Sequence, residues 1–131
     1  MKLLLDTNAL IWFANGDEKL SKKVIIAIEN PQNETFVSVA NIWEIAIKKS
    51  LGKLEIDFEL KDIETIVLNN GFKLLNILAK YALVVENLPL IHRDPFDRIL
   101  FSQALIEDMN IVSIDEIFDS YILGTSIRRV W

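Results

Sequence analysis

Short apolar runs alternate along this chain with longer stretches of helical periodicity, and no other feature limits the fold as strongly. Lys2–Leu5 is one such run, and residues 35–39, 72–75 and 110–114 are others, all rich in branched or aromatic side chains. Between and beyond them, 9–14, 21–29, 41–50, 58–69, 79–86 and 95–108 read as helices. Ser21 is placed to cap the second of these, and Pro95 fits the first turn of the last, where a missing N–H is no loss. Gly52 and Asn69-Asn70-Gly71 stand where helices should stop. Residues 126–130 read as a closing edge strand. Strands separated by helices build a parallel sheet covered on both faces, so the expected class is α/β. With no repeat, linker or composition break, 1–131 reads as one domain.

Composition removes other classes. At 131 residues and 51% hydrophobic, the chain can bury a real core and is not disordered. The absence of Cys excludes disulfide scaffolds, thiolate metal sites and cysteine nucleophiles. Asp6 interrupts the first apolar run too early for a signal peptide, and no apolar run reaches membrane-spanning length. The expectation is a cytoplasmic protein without a membrane segment, in which the sequon Asn33-Glu34-Thr35 is chance. The 14 Lys and Arg against 19 Asp and Glu give a net charge of −5, which argues against a protein that coats nucleic acid by bulk charge.

Several of the acids stand in unusual places. Leu3-Leu4-Leu5 and Ile111-Val112-Ser113-Ile114 break off at Asp6 and Asp115. Ligands of open parallel sheets bind beyond the carboxyl ends of the strands, so both acids would emerge on the binding edge. Capping of the following helix is an equally good account of either residue alone. Glu44 lies within Ile42-Trp43-Glu44-Ile45-Ala46-Ile47. Pairing with Lys48 four residues on is worth only ~0.2–0.5 kcal/mol, too little to offset burial of a carboxylate. If Glu44 faces inward, a cation or a pocket is the stronger explanation. Asp94 is a natural N-cap. Asp97, in the first turn, divides evenly between the helix dipole and a site. His92, the only histidine, reads as a half-exposed loop residue. Should Asp6, Glu44, Asp97 and Asp115 converge, their repulsion would raise pKa values or recruit a cation. All-oxygen ligation selects Mg²⁺ or Mn²⁺, ions suited to phosphodiester hydrolysis.

The segments Leu3-Leu4-Leu5-Asp6-Thr7-Asn8-Ala9-Leu10, Ser38-Val39-Ala40-Asn41-Ile42-Trp43-Glu44-Ile45-Ala46-Ile47-Lys48, His92-Arg93-Asp94-Pro95-Phe96-Asp97-Arg98 and Val112-Ser113-Ile114-Asp115 together resemble the PIN-domain family, and within it the VapC-type toxins. Order and spacing agree along the whole chain, and Arg129-Val130-Trp131 adds to the likeness. The resemblance implies a metal-dependent endoribonuclease of a toxin–antitoxin pair, a helix-sandwiched parallel sheet, an RNA substrate, a cognate antitoxin and frequent homodimers. On its pattern Asp6, Glu44, Asp97 and Asp115 form the catalytic, metal-binding set, with Asp6 and Asp97 the surest Mg²⁺ ligands. Thr7 or Asn8 and Ser113 would support them, Ser113 standing where the family more often has Thr.

Two other readings compete: an Asp6-dependent phosphatase, disfavoured because no second acid follows two residues on, and a non-enzymatic partner-binding module whose acids only cap helices. Trp12, Phe13, Trp43, Leu51 and Leu54 are expected mostly in the core, with any exposed ones serving a homodimer or antitoxin surface. Setting the four acids aside brings the rest of the chain close to neutrality, and basic groups flanking them could hold RNA phosphates.

Overall fold

The computed structural model describes residues 1–131. Strands β1 (Lys2–Leu5), β2 (Glu34–Ser38), β3 (Lys73–Leu75), β4 (Asn110–Val112) and β5 (Arg129–Val130) form one sheet in the order β3-β2-β1-β4-β5, every pair parallel. Seven helices connect them: α1 (Thr7–Asn15), α2 (Lys22–Glu29), α3 (Val39–Ser50), α4 (Ile63–Asn69), α5 (Ala79–Val85), α6 (Pro95–Glu107) and α7 (Ile117–Ile122). The class is α/β, as the alternation requires. Strand order reverses at β1, so a crevice opens at the carboxyl ends of β1 and β4.

Burial explains the unbroken apolar reading of the central strands. Leu3 and Leu5 of β1 join Val37, Val112 and the buried face of α1 on one side of the sheet. Leu4 joins Ile111, Leu100, Phe101 and Phe118 on the other. A strand covered on both faces has no solvent side on which to place a polar residue. Trp12, Phe13 and Leu54 lie at the core margin, while Trp43 and Leu51 are exposed, at 56% and 62%.

The structure departs from the sequence reading in four elements. The helix expected over 58–69 is a 3₁₀ turn, Leu60–Asp62, followed by the shorter α4. Leu54, Ile56, Phe58 and Leu60 all pack on the core, a period of two that an extended segment satisfies and a helix does not. Strand β4 stops at Val112, so Asp115 lies in a loop beyond the strand end. The edge strand keeps only two of the residues 126–130. Helix α7 has six residues, too few for periodicity to reveal, and anchors Phe118 and Tyr121 in the core. No helix is long and apolar enough to cross a membrane.

Candidate metal centre

Helix α1 begins directly at the end of β1. Asp6 caps it, its Oδ1 accepting the Ala9 N–H at 2.8 Å, while the Asp6 N–H donates to the Val112 carbonyl at 3.0 Å. The capping reading of Asp6 is therefore correct, and it also fixes the side chain at the sheet edge. Helix α3 starts as abruptly from β2. Ser38 caps it, and the Asn41 Oδ1 reaches back to accept the Ser38 N–H at 2.8 Å. The Asn41 amide then donates to the Thr7 hydroxyl at 3.1 Å, and that hydroxyl donates to Glu44 Oε1. Two helix starts are thus tied together through buried polar groups, and Glu44, 5% exposed, is held at the end of the chain of bonds. Its other oxygen, Oε2, pairs with the Lys48 ammonium one turn along α3.

Helix α6 supplies the opposite wall. Asp94 is its N-cap, accepting from the Phe96 N–H at 2.8 Å and the Asp97 N–H at 3.4 Å. Asp97 meets His92 Nε2 at 2.9 Å. His92 is the half-exposed loop residue expected, but its contact with Asp97 was not legible in the sequence. The loop is held from beneath by buried Arg98, whose guanidinium donates to the carbonyls of Pro89, His92 and Val85 and to the Tyr121 hydroxyl. Asp115 is reached through a turn in which its N–H donates to the Ser113 hydroxyl at 2.9 Å, and its Oδ1 accepts the Ile117 N–H at 3.0 Å. Arg129 secures that turn, paired with Asp119 and donating to the Ser113 carbonyl.

Asp6, Glu44, Asp97 and Asp115 line one cleft of about 120 Å³. Asp94 is there too, with Thr7, Asn8 and Lys48, and no apolar residue contributes. Asp94 keeps its capping role while facing the same space. Ligand atoms of His92, Asp94 and Asp97 approach within 4.8 Å of one another, and two of the three, Asp94 and Asp97, line the cleft. Lys48 and Asn41 were not read as site residues. Lys48 was read as the helix partner of Glu44 and, with Lys49 and Lys53, as one of the basic groups that could hold RNA phosphates if they flank the acids, and the Ser38-x-x-Asn41 spacing is the one signal that would have found Asn41.

Burial pushes the Asp6 carboxyl up to about 6. The Ser113 hydroxyl and the Ala9 N–H oppose that rise, while Glu44 and Asp115 add to it. Asp97 is pushed up to about 7 by burial and then by Asp94, with His92 pulling the other way. The Glu44 hydrogen bond holds the Lys48 ammonium above the ordinary lysine range. At both carboxyls the cost of burial outweighs the hydrogen bonds and neighbouring positive charge that favour ionisation. The donor set is oxygen-rich with one imidazole at its edge, and it fits a hard divalent cation.

The PIN domain family matches residues 3–122. No curated protein shows a significant sequence match. Among solved structures, VapBC2 from Rickettsia felis bound to a DNA fragment from its promoter is similar over 100% of this chain and 99% of that one, at TM-score 0.71 and 16% identity. VapBC-1 from nontypeable Haemophilus influenzae follows over 98% and 96%, at 0.67 and 16%. A toxin–antitoxin complex from Klebsiella pneumoniae is similar over 96% and 94%, at 0.60 and 19%. At such identities the likeness is one of fold, and the matched residues carry the assignment: the chain belongs to the PIN domain family.

Proposed function

We propose that this protein is a metal-dependent endoribonuclease and the toxin of a toxin–antitoxin pair. One observation carries the reading: carboxylates from the end of β1, from α3, from the start of α6 and from the loop after β4 meet in a cleft without apolar lining, at the sheet's switch point. Helix capping accounts for Asp6, Asp94 and Asp115 one at a time, but it does not require them to face one space.

Asp6 and Asp97, whose charges are least satisfied, would hold Mg²⁺ or Mn²⁺, with Glu44 and Asp115 completing the set directly or through water. A bound divalent cation supplies a water of lowered pKa and neutralises charge on the phosphodiester. Thr7 and Asn41 fix Glu44 in place, and His92 orients Asp97. Asp115 is the most exposed of the four, which supports a role for it in passing a proton to solvent. The similar Klebsiella structure is a toxin–antitoxin complex, which supports a cognate antitoxin as partner. Exposed Trp43 and Leu51 support a homodimer or antitoxin contact, and the absence of a spanning helix fits a cytoplasmic site of action.

Incubation of the purified protein with single-stranded RNA tests the reading. Cleavage is expected with Mg²⁺ or Mn²⁺, none with EDTA, and a loss of at least about a hundredfold in Asp6→Asn or Asp97→Asn. Undiminished cleavage by either variant would overturn it.

A further inference from the structure

The carboxylate cleft is lined by one cationic side chain, and the nuclease reading gives that residue no task. Lys48 is rooted near the end of α3 with its side chain 47% exposed, yet its ammonium turns inward to Glu44 Oε2. An exposed i,i+4 pair is too weak to hold a lysine in that direction by itself. Asp94 and Asp97 at the start of α6 line the same cleft as Lys48, so the ammonium turns toward the side where negative charge is gathered. Glu44 leaves little choice of partner atom. Oε1 is committed to Thr7 within the buried chain that ends at Asn41, so Oε2 is the oxygen that faces the cleft, and Lys48 holds it. Any divalent cation that uses Glu44 must share or displace the ammonium.

A phosphodiester approaching this site meets five carboxylates, Asp6, Glu44, Asp94, Asp97 and Asp115. One divalent cation does not cancel them, and the cleft's own lining offers no other positive group than Lys48. Lysine suits the task, since its ammonium is a compact charge on a long flexible stem and can turn from Glu44 toward the cleft mouth without moving the helix.

We propose that Lys48 is a substrate-binding residue held in reserve: its ammonium neutralises Glu44 until a divalent cation takes that oxygen, and it then binds a phosphate of the RNA backbone. The inference rests on the nuclease reading for its second half only.

Lys48→Met keeps the stem and removes the charge, and Lys48→Arg keeps the charge. Calorimetric titration of the RNA-free protein with Mn²⁺ should show Lys48→Met binding the ion about five- to tenfold more tightly than wild type, because a repelling competitor is gone. With single-stranded RNA of mixed sequence the same variant should move the other way. KM is expected to rise about tenfold, more than kcat falls, and the slope of log affinity against log salt to shrink by about one. Lys48→Arg should recover most of KM. Unchanged or weaker Mn²⁺ binding by Lys48→Met would overturn the competition and leave Lys48 as a mere support for Glu44. An unchanged salt slope would overturn the phosphate contact. If wild-type protein binds Mn²⁺ but cleaves no RNA, the nuclease reading and the phosphate contact fail together, while the Mn²⁺ comparison still decides the competition.

Discussion

Asp6 has two roles that pull against each other. As N-cap of α1 it accepts a backbone N–H, which favours the ionised form, but burial raises its pKa to about 6 all the same. The folded, metal-free protein therefore holds a proton on Asp6 through a pH range where the unfolded chain, with an ordinary Asp near 4, has lost it. Stability must then decline as pH rises from about 4 to about 7, by on the order of 3 kcal/mol from this residue, and level off above. Thermal melting of metal-free protein should show that decline, and millimolar Mg²⁺ should reverse it at pH 7.5. Asp6→Asn keeps the cap, so it should melt higher than wild type at pH 7.5 without metal, by roughly 10 °C, and gain little from Mg²⁺. A variant that melts lower would show that the carboxylate is not strained. Residues of this kind were legible in the sequence because an acid after an apolar run is out of place. His92 and Asn41 were not, because their significance lies in contacts with Asp97 and Thr7 that bridge separate elements, and Lys48 was readable as the partner of Glu44 but not as part of the cleft lining.

At the scale of elements, the cleft depends on helices that begin where strands end. The β1–α1 and β2–α3 junctions have no intervening loop, which is why Asp6, Thr7, Asn41 and Glu44 are placed so tightly. The other wall is less secure, since α6 follows a long irregular segment pinned by Arg98, a buried guanidinium with no carboxylate partner. Arg98→Leu strands three carbonyls, so a loss of about 3 kcal/mol or more is expected. Hydrogen exchange should show protection lost first over residues 86–93, and metal affinity should fall because His92 is no longer held against Asp97. Uniform loss of protection would argue that Arg98 supports the core in general. Helix–strand alternation made the sheet and most helices readable. It failed where core packing set the conformation, as at 54–60, and where an element was shorter than its own period, as in α7.

For the whole molecule, a net charge of −5 looked unfavourable for contact with nucleic acid. The fold eases that difficulty by gathering five of the 19 acids into one cleft, where a bound cation and Lys48 together offset part of the negative charge. Trp43 is exposed, in edge contact with Phe96 at 5.1 Å, and an exposed aromatic of this kind suits contact with a second copy. Sedimentation equilibrium is expected to give a dimer that Trp43→Glu weakens by at least about tenfold, and a monomer at high concentration would remove the dimer without touching the enzyme. The cleft itself is tested most directly by anomalous diffraction from crystals soaked in Mn²⁺. A peak bonded to carboxylate oxygens of Asp6 and Asp97, lost in the Asp6→Asn crystal, is the predicted result. A cleft with no peak at millimolar Mn²⁺, or a peak that survives the loss of Asp6, would contradict it.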